Sequence, residues 1–200
     1  SKPAEGVIQV AYLVYDEDKN LLIQRLLDGK NLTSVIIFAS TKFAVKQLEK
    51  DLDKATGFTV KAMHSDLDQK TREETLNLFK NREFEILVAT DIMSRGIDIE
   101  KIDLIVNYNV PQDAEDYVHR VGRTARAKST GLAITLINKA EMRNFHHIEK
   151  LIESQIRKLP TPEGIQKGPE WKSFDSSDKT KRKGRYYSGR NRNRSNRPGK

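Results

Sequence analysis

Cysteine is absent from this 200-residue chain, and its absence excludes several classes of protein. Without a thiol there is no disulfide framework and no thiolate metal site. No apolar run approaches the ~20 residues that a bilayer-spanning helix needs, and no basic-then-apolar signal segment opens the chain. We therefore expect a cytoplasmic protein, in a reducing compartment, with no membrane partner.

The sequence also lacks the glycine-rich loop that binds nucleotide phosphates. The pattern G-x-x-x-x-G-K-[ST] occurs nowhere, since Gly29-Lys30 is followed by Asn31 and Gly199-Lys200 closes the chain. In that loop, backbone amides and a lysine hold the phosphates while a hydroxyl helps to seat Mg²⁺. The 200 residues therefore do not hold a nucleotide in that way.

Positive charge is concentrated at one end of the chain. The net charge of +8 comes from 36 lysines and arginines against 28 acidic residues. Residues 1–170 contain 25 basic and 26 acidic residues, whereas residues 171–200 contain 11 basic and 2 acidic ones. The first 170 residues are thus near neutral, and the excess positive charge belongs to the last thirty.

Short apolar segments alternate with amphipathic ones along the first 160 residues. The pattern predicts strands at residues 7–15, 35–38, 59–63, 85–89, 103–108 and 132–137. It predicts helices at residues 21–27, 42–55, 69–80 and 141–156. The second helix is expected to bury Phe43, and Asp68 can cap the third. Such alternation favours an α/β fold whose mostly parallel sheet is covered on both faces, with sites at the carboxyl ends of its strands.

Composition divides the chain into three parts. Residues 1–160 carry the periodic pattern and form the predicted domain. Residues 161–171 contain two prolines and two glycines and no periodic pattern, and we interpret them as a linker. Residues 172–200 are basic, polar and low in complexity, and we expect this tail to be disordered by itself because it has too little apolar surface to offset the cost of ordering.

Two polar segments follow predicted strands. Residues 89–98 read ATDIMSRGID, and residues 116–126 read DYVHRVGRTAR. Taken alone, the first is also typical of an aspartate N-cap with a glycine turn, and the second of an exposed basic helix end. Arg123 and Arg126 are three residues apart, so a helical turn would place both forked donors on one side, where they suit a polyphosphate.

Together these two segments resemble the signatures of the C-terminal RecA-like domain of superfamily 2 helicases, in their DEAD-box RNA helicase form. Three more segments match in order: 35–42 (VIIFASTK), 64–69 (HSDLDQ, followed by Arg72 and Phe79) and 107–111 (NYNVP). The resemblance covers residues 7–140. Ser65 departs from the family, which usually has glycine there, and this departure puts in doubt only a close approach of the backbone to RNA.

The resemblance implies a RecA-like three-layer αβα sandwich and an ATP hydrolase that couples hydrolysis to local unwinding of an RNA duplex. In it, Arg123 and Arg126 would be catalytic arginine fingers for the γ-phosphate. Asp98 would bind the ATP ribose, and Arg95 and His119 would join the nucleotide network. The residues implied to contact the RNA backbone are Thr41, His64, Ser65, Gln69, Arg72 and Thr90. Such contacts fix the position of the RNA without reading its bases.

Other elements of the family are missing from these residues. Mg²⁺ and the water-activating glutamate would lie on an N-terminal RecA-like domain of the same protein, which is the implied partner, so we expect the 200 residues alone to be inactive. Residues 16–19 (DEDK) look superficially like the family's acidic tetrapeptide but lack its fourth acid. We interpret them as a solvent-exposed turn, and we expect no metal site in this chain.

The basic tail interleaves cations with tyrosines, which suits phosphate neutralisation and base stacking. Its candidate RNA-binding residues are Arg182, Arg185, Tyr186, Tyr187, Arg190 and Arg192. A solubilising tail, or one that contacts acidic proteins, would have the same composition. For the whole chain, the alternative to a helicase half is a stand-alone RNA-binding or partner-docking module without ATPase activity. A DNA-directed relative in the same superfamily is a further possibility.

Overall fold

A computed structural model describes residues 6–95, 97–99, 101–124 and 131–174. Within these residues the chain forms seven strands and six α-helices. The strands are β1 (Val7–Leu13), β2 (Val35–Ala39), β3 (Val60–Met63), β4 (Ile86–Thr90), β5 (Leu104–Asn107), β6 (Gly131–Ile137) and β7 (Arg157–Leu159). The helices are α1 (Lys19–Leu27), α2 (Lys42–Ala55), α3 (Gln69–Lys80), α4 (Asp91–Ser94), α5 (Ala114–Val121) and α6 (Met142–Ile152).

The strands form one sheet in the order β3-β4-β2-β5-β6-β1-β7, and every described pairing is parallel. β2 and β4 are buried along their whole length, as expected of strands covered on both faces. Buried side chains form two clusters, one around Phe38, Tyr117 and Phe145 and the other around Ile37 and Leu48. The predicted three-layer α/β fold of the RecA-like kind is confirmed.

Helix α2 has the predicted bounds, but the prediction that it buries Phe43 is wrong. The buried side chains of α2 are Val45, Leu48 and Leu52, whereas Phe43 is 79% exposed. Position 43 lies two residues, or about 200°, from position 45 around the helix axis, so it faces away from the sheet. Helix α3 begins as predicted, because the side chain of Asp68 accepts a hydrogen bond from the amide of Thr71.

The last helix is shorter than the predicted span of residues 141–156. Helix α6 ends at Ile152, and Glu153 adopts the left-handed conformation with φ 54°. Glu149 accounts for the early end: its carboxylate accepts the amide of Ile156 at 2.8 Å and pairs with Lys158. These contacts turn the chain back to the sheet, where residues 157–159 form the edge strand β7, which was not predicted from the sequence.

The segment expected to be a linker lies along the domain. Ile165 is only 8% exposed and packs in the core cluster around Ile37 and Leu48. A Cβ atom on Gly168 would come within 1.8 Å of the carbonyl oxygen of Leu13, so only glycine fits there. Further on, Trp171 stacks edge-on against Phe145 on the opposite face of the sheet. Residues 161–174 thus cross from one face of the domain to the other.

The acidic segment at residues 16–19 is a 3-10 turn (Asp16–Asp18) followed by the first residue of α1. Asp16 and Glu17 are exposed, in line with the predicted turn. Lys19 contradicts it, because its side chain is completely buried. The reason is a set of acceptors from distant parts of the chain that surround its ammonium group, which local sequence does not reveal. Among the described residues, no helix combines the length and apolar character needed to cross a membrane.

Candidate nucleotide and nucleic-acid site

The carboxyl ends of three adjacent strands bring together residues far apart in sequence. β2 lies beside β4, with Ala39 opposite Thr90, and β4 lies beside β3, with Ala89 opposite Met63. The residues that follow these strands therefore share one edge of the sheet. All six residues that the resemblance assigns to RNA within the domain lie at this edge or on the first turns of α2 and α3: Thr41, His64, Ser65, Gln69, Arg72 and Thr90.

Several of these residues hold the local backbone. The hydroxyl of Thr41 caps α2 by accepting the amide of Ala44 at 3.1 Å. Arg72 donates to the carbonyl of Ser65 at 3.3 Å and so fixes the turn after β3. The buried Nε of Arg72 has no hydrogen-bond partner among the described groups, and Gln69 donates to Glu73. Thr90 is 8% exposed at the end of β4.

The turn after β3 carries two titratable residues, His64 and Asp66, whose pKa values are both lowered by their surroundings. His64 is 6% exposed, and burial together with the charge of Lys46 lowers its pKa. Asp66 is an exposed carboxylate that pairs with Lys42 at 2.9 Å and with Lys46 at 2.7 Å. The hydrogen bonds from these two lysines lower the pKa of Asp66 to about 2. This triad was not predicted from the sequence, although lysines four residues apart on α2 share one side of the helix.

A second group of predicted residues lines a surface cavity of about 470 Å³ beside helix α5. Arg95, His119 and Arg123 all line it, together with acidic residues at the start of α5. Arg95 lies 3.5 Å from Asp116. The three residues come from the turn after α4, from α5 and from the turn after α5, so the fold brings residues 89–98 and residues 116–126 to one cavity.

Arg123 reaches the residue assigned to the ribose. Its Nη1 lies 3.2 Å from the carboxylate of Asp98, and the Asp98 side chain is 89% exposed. Both groups are thus accessible to a ligand at the rim of the domain. Arg126, the second predicted finger, lies outside the described residues, as do the six tail residues Arg182, Arg185, Tyr186, Tyr187, Arg190 and Arg192.

Arg120 is a site residue for which no role was predicted from the sequence. It is 4% exposed, donates to Asn107 at 3.2 Å and to Asp91 at 2.9 Å, and lies 4.7 Å from the ring centroid of Phe38. A signal was present: Tyr117, Arg120 and Val121 follow the i, i+3, i+4 spacing of a buried helix face. Because Asp91 follows β4 and Arg120 lies on α5, this contact joins the two segments.

Burial dominates the electrostatics of that contact. It raises the pKa of Asp91, against the opposing charge of Arg120, and it lowers the pKa of Arg120. Both shifts favour the neutral form of the side chain, as expected when a charged group is removed from water. A pair of this kind holds two elements in register more than it adds net stability. Within the described residues, no group of three or more His, Asp or Glu could hold a metal ion.

Residues 18–128 match the family described as helicase conserved C-terminal domain. The chain belongs to this family, and within it to the C-terminal domains of DEAD-box helicases.

The ATP-dependent RNA helicase DbpA of Bacillus subtilis is 41% identical over 169 residues, which cover 83% of this chain and 34% of that protein. A crystal structure of a DEAD box protein from the hyperthermophile Methanococcus jannaschii has a TM-score of 0.71 and 38% identity, covering 77% of this chain and 42% of the other. S. cerevisiae Dbp5 bound to RNA and ADP BeF3 has a TM-score of 0.71 and 26% identity, with 79% and 42% covered. This chain spans about a third of the length of the curated relatives that it matches.

Proposed function

We propose that this chain is the C-terminal half of the motor of an ATP-dependent RNA helicase, one that couples ATP hydrolysis to local unwinding of an RNA duplex. The observation that carries the proposal is the convergence of Arg95, His119 and Arg123 on one cavity, together with the pairing of Arg123 with Asp98. These residues come from two segments, and a protein that only bound RNA would have no use for a partly exposed guanidinium beside a carboxylate that we propose to bind ribose.

ATP fits the groups that are present, but only in part. Arg123 offers planar donors to a phosphate, with Arg126 of the same segment as a second candidate. Asp98 offers an acceptor to ribose hydroxyls. The sequence contains no phosphate-binding loop, and no group of acidic residues or histidines in the described part of the chain could hold a metal ion, so we assign both sites, and the water-activating carboxylate, to an N-terminal RecA-like domain. ATP, when bound between the two domains, supplies the free energy of hydrolysis.

The arginines act on charge. A guanidinium placed beside the transferring phosphoryl group stabilises the negative charge that develops on its oxygens. Arg123 reaches that position only when the two domains close on the nucleotide, because its own domain offers no phosphate loop. In the single domain, its guanidinium pairs with Asp98 at 3.2 Å. Closure of this kind excludes water and assembles a site from two halves.

RNA is proposed to bind along the carboxyl edge formed by β2, β3 and β4. Hydroxyls, amides and cations line this edge, and such groups contact phosphates and sugars independently of base sequence. The basic tail would add attraction that weakens with salt. In support, one of the similar structures is S. cerevisiae Dbp5 bound to RNA and ADP BeF3.

The test compares the chain alone with the chain joined to its own N-terminal RecA-like domain. ATP hydrolysis is measured with and without single-stranded RNA, and unwinding is measured on a short duplex. We expect no RNA-stimulated hydrolysis from the 200 residues and clear stimulation from the two-domain protein. RNA binding without hydrolysis in both proteins would instead favour the binding-module function, and stimulation by DNA alone would favour a DNA-directed enzyme.

A further inference from the structure

Lys19 is a fully buried cation whose partners are spread over three parts of the chain. Its Nζ donates to the carbonyl of Tyr108 at 2.8 Å and to Oε1 of Glu141 at 2.9 Å, and it lies 3.2 Å from Asp16. It also lies 5.2 Å from the ring centroid of Tyr108. Burying an ammonium group is costly unless its hydrogen bonds are satisfied, so this arrangement needs all of its partners in place.

Glu141 uses both carboxylate oxygens. Oε1 accepts from Lys19 and from the amide of Asn138, and Oε2 accepts the amide of Val110 at 2.7 Å. Lys19 and Glu141 therefore both bind the turn at residues 108–110. Lys19 donates to the carbonyl of Tyr108, and Glu141 accepts from the amide of Val110. Only a carboxylate offers an acceptor to each of these donors, because glutamine has a single side-chain oxygen.

The turn at residues 108–110 connects the two halves of the candidate site. On one side, Asn109 accepts the amide of Ser40 at 2.9 Å, next to Thr41 at the proposed RNA edge. On the other, the chain continues into α5, which carries His119 and leads to Arg123. Burial and the charges of Asp16, Asp51 and Glu141 raise the pKa of Tyr108 to about 12, so its hydroxyl stays protonated and donates to Asn20.

A second buried lysine–glutamate pair shows what a purely structural contact looks like here. Lys158 pairs with Glu149 at the edge strand β7, with side-chain exposures of 17% and 8%. Its carboxylate holds the amide of Ile156, and its ammonium lies 4.2 Å from the ring centroid of Trp171. None of these groups belongs to the turn at 108–110 or to the strands that carry the site. This pair therefore serves as a matched control.

We propose that Lys19 and Glu141 are positioning residues. Together they hold the 108–110 turn, and this keeps the RNA edge at Thr41 at a fixed distance and orientation relative to helix α5, which leads to Arg123. The contacts of the pair stand by themselves, and only the effect on turnover rests on the proposed function. The side chains of Lys19 and Glu141 are 0% and 14% exposed, whereas that of Asp98 is 89% exposed, so burial separates the pair from a group that could contact a ligand.

The first arm of the test measures amide hydrogen exchange by NMR in the 200-residue chain. We expect Lys19→Met to speed exchange at Ser40 and Val110 by about tenfold, the equivalent of one hydrogen bond to a charged group. Core amides such as that of Ile105 report global stability and correct for it. Lys158→Met should leave Ser40 and Val110 within about twofold after the same correction. Unchanged exchange at both amides in Lys19→Met would overturn the proposal.

Glu141→Gln provides a second variant in case Lys19→Met does not fold. It keeps the side-chain volume, so the chain should fold, but its single oxygen cannot serve both Lys19 and Val110. We expect faster exchange at one or both of Ser40 and Val110, again by about tenfold. Protection equal to that of the unmodified chain at both amides would show that the pair does not position the turn.

The second arm measures RNA-stimulated ATP hydrolysis in the two-domain protein. Lys19→Met should lower kcat by about tenfold while changing KM for ATP by less than about threefold, because the pair acts on geometry and not on ground-state binding. An unchanged kcat, with fast exchange at the turn, would refute the link to the site. If the unmodified protein hydrolyses no ATP, the proposed function fails, and the exchange arm still decides whether the pair positions the turn.

Discussion

Arg120 and Arg123 are three residues apart, yet the structure places them in different environments. Arg120 is 4% exposed, donates hydrogen bonds to the side chains of Asn107 and Asp91, and lies against the ring of Phe38. Arg123 is 32% exposed and pairs with Asp98, a carboxylate that is 89% exposed. The difference indicates a division of labour: Arg120 fastens helix α5 to the strand ends, and Arg123 remains available to a ligand.

The same contrast extends to the acids. Asp91 is only 32% exposed and pairs with the buried Arg120, whereas Asp66 is 45% exposed and pairs with the exposed Lys42 and Lys46. Solvent screens the surface pairs and leaves them little net value, while removing one partner of a buried pair costs several kcal/mol. Three experiments can contradict or refine this contrast between buried and exposed charges.

The largest effect is expected in catalysis, at Arg123. Arg123→Ala in the two-domain protein should reduce RNA-stimulated ATP hydrolysis by about 10³-fold, because it removes a positive charge from the transition state. Its free energy of unfolding should fall by less than about 1 kcal/mol, since the pair with Asp98 is exposed. Steady-state hydrolysis and urea unfolding measure the two quantities. Near-normal turnover would remove Arg123 from the catalytic machinery.

Arg120→Ala should lower the free energy of unfolding more than Arg123→Ala does. It removes the cation beside Asp91 and the donor to Asn107, so the free energy of unfolding should fall by about 3 kcal/mol. Urea unfolding of the 200-residue chain measures this loss. Arg120→Lys is the control, because an ammonium keeps the charge but not the forked geometry, and it should recover only part of the stability. A loss no larger than that of Arg123→Ala would contradict the comparison.

The smallest effect is expected in the titration of Asp66 and Asp91. The pKa of Asp66 is lowered from 3.8 to about 2, so its contribution to stability is present above pH 3.8 and is lost as the pH falls towards 2. Asp91 has the opposite sign, because burial raises its pKa above 3.8 and stability then declines as the pH rises through the raised value.

Carboxyl-carbon NMR titration measures both pKa values directly. Lys46→Met is expected to raise the pKa of Asp66 and to leave that of Asp91 unchanged, since Lys46 contacts only the first carboxylate. Two aspartates that titrate together would show that burial and surface pairing do not separate them.

Much of the fold was predictable because short apolar strands and amphipathic helices produce strong local patterns. Helix α2 has its predicted bounds, and Asp68 caps α3 as expected. The errors arose where side-chain contacts or helix geometry override the pattern of apolar residues. Glu149 bonds to the backbone after its own helix and ends that helix early, and Phe43 lies on the exposed side of α2. The missing edge strand β7 is only three residues long, too short for any periodicity.

The candidate site shows the same division. Residues 89–98 and 116–126 were selected because those residue types at that spacing match a family pattern, and the fold brings Arg95, His119 and Arg123 from them to one cavity. The individual environments of these residues were not predictable from that pattern. Nothing local distinguishes Arg120 from Arg123 except the spacing of Tyr117 and Val121, which places Arg120 on the buried face. The contact between Arg120 and Asp91 joins residues 29 positions apart, so only the folded chain reveals it.

By itself, the sequence determined the alternation of strands and helices, the family, the missing phosphate loop and the concentration of positive charge after residue 170. These properties depend on residue types and local spacing. Only the tertiary structure decided which charged side chains are buried and lose their contact with solvent. Lys19 belongs to a segment of acids that looks solvent-exposed, and it is completely buried because Tyr108 and Glu141, brought from distant parts of the sequence, satisfy its hydrogen bonds.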